Sequence, residues 1–178
     1  LCFFHGKSTK KYRIPCFIIT FVAQKLRMER LEQIKGPILN EFEVFKQKFD
    51  ASLQSSNPLL GEVINFIKQR KGKMMRPMLT LLMAKLCGEI EDSTYDVAIS
   101  LELLHTASLV HDDVVDESDK RRGQSSVNAV YDNKVSVLVG DYLLATSLTN
   151  AALTGDVQLV ELISRLGQNL SEGEIIQL

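Results

Sequence analysis

From Met28 onward the chain alternates apolar and polar residues with a helical period. Leu31, Ile34, Ile38, Phe42, Phe45 and Phe49 recur at intervals of three and four, which predicts one face of a first helix. "SSNP" at 55–58 reads as a loop with a helix-capping candidate. Val63, Phe66 and Ile67 continue into a short second helix ending near Lys71-Gly72. A third is predicted from about Pro77, a residue favoured in the first turn, through Leu79, Leu82, Met83 and Leu86 to a stop at Gly88. Ser93 or Thr94 can cap a fourth, which carries Val97, Leu101, Leu104, His105, Ser108 and Asp112. After a loop at 117–124 and a short polar stretch, "KVSVLVGDYLLATSLTNAAL" forms a fifth long element. "VSVLV" alone fits a strand, but its continuation without a turn signal favours helix. A last helix runs from Val157, beyond Thr154-Gly155, to the end. The pattern is therefore all-α, a single domain or the front part of a larger one.

Composition narrows the class. The chain has 178 residues, 45% of them hydrophobic, and a formal net charge of −1, enough for a sizeable core. That charge balance lacks the basic excess of a nucleic-acid binder. Cys2, Cys16 and Cys87 form no C-x-x-C pair, and their odd number suits a reducing compartment, so a cytoplasmic location is expected. The fifth element is apolar enough to suggest a membrane span, but Asp141 near its centre makes that costly, and a buried core helix fits better.

Both ends are unusual. Residues 1–27 begin at Leu1 and differ in character from the rest of the chain, so they are expected to be a non-native or read-through extension ahead of Met28. Their apolar core, Ile14 to Ala23, is too short to span a bilayer, and Lys25 and Arg27 come after it in place of a small-residue cleavage site. A membrane-surface anchor is the alternative. At the other end "SEGEIIQL" stops within a helical pattern without a cap, so truncation is expected there as well.

The chemistry concentrates in "LVHDDVVDESDKRRG" at 109–123. On a helix Asp112 and Asp116 share a face one turn apart, and Asp113 points about 100° away. Two aligned carboxylates at neutral pH favour a cation between them. Mg²⁺ is typically held by one or two carboxylates with water and substrate phosphates completing the shell, so the pair implies an anionic co-ligand. A solvated acidic turn is the alternative, though acids directly after an apolar run are unusual. Arg121 and Arg122 come at once after them, and arginine suits bidentate phosphate contact. Upstream, "KGKMMRP" at 71–77 sets Lys71, Lys73 and Arg76 around Gly72, which lets the backbone approach a ligand closely, before a helix N-terminus that favours anions. An ordinary cationic loop is the other reading of that turn. Together, one acidic pair and two basic clusters can bind two diphosphates, one through a metal and one directly.

With "GKMMRP", "ELLHTASLVHDDVVDESDKRRG", "VLVGDYLLA" and "SEGEIIQ" in this order, the chain resembles the trans-type polyprenyl (isoprenyl) diphosphate synthases, particularly the long-chain bacterial octaprenyl type. The match covers residues 28–178, which would form the N-terminal part of a polyprenyl synthase domain. The resemblance implies an isoprenoid-synthase-type helical bundle, truncated on its C-terminal side, that works as a homodimer with Mg²⁺. It would add isopentenyl diphosphate to an allylic prenyl diphosphate, as in quinone side-chain synthesis, and meet membranes only through its lipid product. Asp112 and Asp116 would hold Mg²⁺ at the allylic diphosphate, with Asp113 supporting them and Arg121 contacting that diphosphate. Gly72, Lys73, Arg76, His105 and Arg122 would hold isopentenyl diphosphate. Asp141 and Gln177 match cavity positions of the family.

His105 precedes Asp112 by seven residues, about 10 Å along the helix on the same face, which suits a second substrate beside a metal-bound first one. A satisfied core histidine is the alternative, and His111 is assigned no chemistry. Ala107 and Ser108 lie about one turn before Asp112. Their small size implies an open channel and a long product. Two departures stand out: Lys71 and Met74 replace a glycine and an arginine of the usual G-G-K-R-x-R-P turn, and the family's second aspartate-rich motif lies beyond Leu178. The 178-residue fragment is accordingly expected to be inactive. A non-catalytic regulatory subunit and, more remotely, a metal phosphohydrolase using His111-Asp112 are the competing readings. Terpene cyclases share D-D-x-x-D but lack the G-K-x-x-R-P turn.

Overall fold

A computed structural model describes residues 32–70 and 72–177 of the chain. The expected boundary at 27/28, the extension before it, and Lys71 lie outside the described residues. Residues 32–37 belong to a separate unit, and the second unit runs from Ile38 to Leu178. Leu31 lies outside the described residues, and the helical residues 32–35 do not continue as one regular helix into the next segment. A 3-10 turn occupies Gly36–Ile38, because Pro37 lacks the amide proton a continuous helix needs there, and α1 begins only at Leu39 (Leu39–Ser52).

On α1, Phe42, Phe45 and Phe49 are buried along one face, with successive ring centroids 5.7 Å apart. The expected cap at "SSNP" is Asn57, whose Oδ1 accepts from the Leu60 amide at 3.1 Å and starts α2 (Pro58–Gln69) with proline at its first position. Next comes α3 (Met75–Cys87), ended at Gly88 as the sequence predicts.

The fourth helix, α4 (Asp92–Val115), starts earlier than expected. Its cap is Glu91 and not Ser93 or Thr94; Thr94 instead accepts from the Glu91 amide through Oγ1 at 3.3 Å, since its distance from Glu91 is that of a capping box. Then α5 (Val127–Leu153) and α6 (Val157–Gln177) complete the bundle. The polar stretch before Lys134 is itself helical and joins α5 across a kink at Asp132, where φ is 74° and ψ 169°. Asp132 offsets this strain by restarting the helix: its Oδ1 accepts from the Val135 amide at 3.0 Å. "VSVLV" lies inside α5, as its continuation implied.

Helices α4 and α5 run antiparallel in close contact. Ser100 and Ser147 are both fully buried; their hydroxyl oxygens lie 3.1 Å apart, and Ser147 Oγ donates to the Ser100 carbonyl at 2.8 Å. Small side chains at a crossing shorten the distance between helix axes. Further along, His111 lies against Gly140, where a Cβ would run into its ring. Leu104, Ala151 and Ile163 close the core among α4, α5 and α6. Among the described residues no helix is long and apolar enough to cross a membrane; α5 buries one face while Val137 and Leu138 on it stay exposed, so it is not the fully buried core helix expected.

Ser147→Leu forces a larger side chain into this crossing and is expected to lower stability by about 1–3 kcal/mol. Urea unfolding monitored by circular dichroism measures it. An unchanged midpoint would mean the two helices do not meet at Ser147.

Candidate active site

The basic turn and the middle of α4 face one another across a cavity of about 670 Å³. Phe49, Leu53, Ile64, Leu103 and Leu143 form apolar walls, and Gly72, Lys73, Arg76, His105, Asp113, Arg121 and Arg122 also line it. Residues far apart in sequence are thus brought together much as their chemistry suggested. Met74 takes a left-handed backbone (φ 49°) with its side chain buried, turning the chain into α3. At Gly72, which lines the cavity, the space a Cβ would take is filled by the guanidinium of Arg122, so the glycine admits that arginine close to the backbone.

Burial pushes the His105 imidazole down to about 4, and the positive charges of Arg76, Arg122 and Arg121 push in the same direction. At neutral pH it is an uncharged hydrogen-bonding group among arginines that stay charged. One turn earlier on α4, Glu102 also lines the cavity. Its carboxyl is raised by burial, against the lowering influence of Arg76 and Arg122, and its Oε2 is buried without a hydrogen-bond partner. Sequence reasoning passed over Glu102, although an acid three residues before His105 within an apolar run carried the signal.

The acidic cluster sits where α4 ends. Asp116 is the C-cap, its amide donating to the Asp112 carbonyl at 2.8 Å. Asp113 is turned inward, its side chain only 6% exposed, and accepts from Arg121 Nε at 2.8 Å. Arg121 reaches it from a small hairpin, β1 (Lys120–Arg121) paired antiparallel with β2 (Gln124–Ser125), in what the sequence suggested was a loop. Arg122 and Gly123 form its turn, both at positive φ (53° and 80°), the backbone of a two-residue hairpin. The Asp113 carbonyl anchors the segment, accepting from the Ser118 amide at 2.9 Å and Asn128 Nδ2 at 3.2 Å.

Asp112 is half-buried, and burial raises its carboxyl above the ordinary range. Glu174 on α6 adds to the rise, as do Asp116 and Asp113, while Arg121 opposes it. A carboxylate held among like charges is stabilised by a hard cation, so Asp112 and Asp116 fit a divalent ion. Among the described residues no group of three or more potential ligands gathers at one point. Two carboxylates leave most of such an ion's shell to water and phosphate.

Other predicted positions lie outside the cavity lining. Ala107 is buried, and Ser108 Oγ donates to the His105 carbonyl at 2.9 Å. Asp141 lies 3.3 Å from His111 Nε2, which is also 3.3 Å from the Val137 carbonyl, so these residues brace α4 against α5. Gln177 is exposed near the end of α6, with Nε2 donating to the Gly173 carbonyl at 3.4 Å.

The polyprenyl synthetase family profile matches residues 57–178, which include every charged residue of this site but not the apolar wall residues Phe49 and Leu53. The chain belongs to the polyprenyl synthetase family. It is 34% identical to the octaprenyl diphosphate synthase of Haemophilus influenzae over 153 residues, covering 86% of this chain and 46% of the relative. Among solved structures, a polyprenyl synthase from Caulobacter crescentus complexed with calcium and isoprenyl diphosphate superimposes with a TM-score of 0.78 at 28% identity, covering 83% of this chain and 45% of that one. A geranylgeranyl pyrophosphate synthase from Bacteroides thetaiotaomicron is 53% identical with a TM-score of 0.67, covering 82% and 43%. The chain therefore spans about half the length of these polyprenyl synthetases, and its all-α bundle is theirs.

His105 makes stability depend on pH. Its imidazole binds a proton near pH 6.5 when unfolded and only near pH 4 when folded, so acidification favours the unfolded chain. The contribution is complete above about pH 6.5 and is lost as pH falls toward 4. Relative to His105→Gln, the wild type is expected to lose stability across that window, read from denaturation midpoints at pH 7.5 and 5. A constant difference between the two would place the imidazole in water.

Proposed function

We propose that this chain forms the N-terminal half of a prenyltransferase that condenses isopentenyl diphosphate with an allylic diphosphate to make a long-chain all-trans polyprenyl diphosphate. One observation carries the reading: a single apolar-walled cavity gathers Lys73, Arg76, Arg122 and an uncharged His105 on the helix that ends in Asp112 and Asp116. Simple phosphate storage would not need the acids, and a metal site alone would not need the arginines.

Lys73, Arg76 and Arg122 bind the diphosphate of isopentenyl diphosphate, with His105 donating or accepting a hydrogen bond without adding charge. Arg121, fixed by Asp113, is set to contact the allylic diphosphate. Asp112 and Asp116 would hold Mg²⁺, which when bound would supply positive charge against the allylic diphosphate as leaving group. The apolar walls exclude water that would quench an allylic cation. Small Ala107 and Ser108, one turn before Asp112, leave room for a growing hydrocarbon tail and favour a long product. The name of the Bacteroides relative favours a shorter one.

Two measurements test this on the complete gene product. Asp112→Asn is expected to reduce incorporation of labelled isopentenyl diphosphate by at least about 100-fold, since several kcal/mol of charge stabilisation goes with the metal. Wild-type turnover in that variant would remove Asp112 from the metal site. Ser108→Phe is expected to shift chromatographed products to shorter chains, and an unchanged distribution would place the tail elsewhere.

A further inference from the structure

Arg70 lies at the end of α2, just before the basic turn, and its side chain lines the same cavity. It is held from two sides. Its guanidinium carbon stacks 3.2 Å from the centre of the Phe66 ring, and Nε donates to Gln124 Oε1 on the hairpin at 3.2 Å. Phe66 is fixed in turn by an edge-on contact with Tyr131, centroids 5.3 Å apart, and Tyr131 donates to Glu62 at 3.0 Å. Despite this order, Arg70 Nη1 is shielded from solvent and has no hydrogen-bond partner. Leaving a guanidinium donor desolvated and unpaired is costly, and an anionic acceptor removes the cost.

The charges along the cavity call for such an acceptor. Among its lining cations, Lys68 is matched by Asp50 at 3.1 Å and Arg121 by Asp113 at 2.8 Å. Among the described residues that leaves Arg70, Lys73, Arg76 and Arg122 in a lining whose one other carboxyl is Glu102, with Arg76 and Arg122 as its charged neighbours. An anion carrying more than one charge, with several oxygens, restores the balance.

We infer that Arg70, immobilised on Phe66 and Gln124, is a further binding residue for the diphosphate of isopentenyl diphosphate, donating from Nη1. This rests on the prenyltransferase reading above. The Gln124 contact also ties Arg70 to the hairpin that carries Arg121 and Arg122, so three arginines are set by one short piece of backbone.

Steady-state kinetics of the complete gene product test the assignment, with Arg76→Met as the reference for the cavity. Arg70→Met is expected to raise KM for isopentenyl diphosphate about 10- to 100-fold, the loss of one charge-assisted hydrogen bond, with KM for the allylic diphosphate within about twofold of wild type. Arg70→Lys keeps the charge without the fork or the stacking, and recovers part of the affinity. If Arg76→Met raises KM and Arg70→Met does not, the inference fails and the prenyltransferase reading stands. If neither changes KM, the cavity does not bind this substrate and that reading fails too. A rise in KM for both substrates with a lowered melting temperature, unrelieved in Arg70→Lys, would make Arg70 a structural residue and overturn the assignment.

Discussion

Everything in the site depends on how closely α4 and α5 approach. Ser100 against Ser147 and His111 against Gly140 keep two long helices in contact over most of their shared length. α4 therefore keeps buried residues through to its last turn. Its middle can wall a cavity while its end presents acids. Bulkier residues at those crossings would separate the helices and open the cavity to water, which would weaken every charge interaction inside it.

The cavity then sorts its residues by basicity. Burial and neighbouring cations remove the charge from His105, because an imidazole titrates close enough to neutral pH to respond. The same surroundings leave the arginines charged, since a guanidinium holds its proton far above physiological pH. Glu102, raised by burial but facing Arg76 and Arg122, moderates their repulsion without cancelling it. The result is a pocket that carries a net positive charge and admits an anion most readily. An uncharged histidine among arginines adds hydrogen bonding without adding to the repulsion.

Much of this was legible in the sequence. The helical period found every long helix, "SSNP" found the cap at Asn57, and the two charged motifs marked most of the charged lining. The failures share a cause: they turn on contacts between residues distant in sequence or on backbone strain. The guanidinium packed over Gly72 could not be foreseen, because the arginine that supplies it lies about fifty residues later. The hairpin at 120–125 is too short to show an alternating pattern, and only Arg122-Gly123 hints at its turn. The kink at Asp132 left the polar stretch looking like a loop, although a helical turn lies on its N-terminal side. Glu174 approaches Asp112 only because α6 folds back across the bundle, which no local pattern announces.

The three aspartates show how one helix divides labour by rotation alone. Successive residues differ by about 100°, so Asp112 and Asp116 face outward together while Asp113 turns into the bundle. A buried carboxylate without a partner would be costly, and Arg121 meets it at 2.8 Å. Asp113 is thereby less available to a metal but fixes the hairpin, and through the hairpin it fixes Arg122 and the side chain of Gln124 that holds Arg70. On the proposed reading, the acids that would hold the cation and the arginines that would hold diphosphate are thus linked through a residue that need touch neither ligand. Neutralising Asp113 would disturb both halves of the site, whereas neutralising Asp116, exposed at the helix end, would disturb only the half proposed to hold the cation.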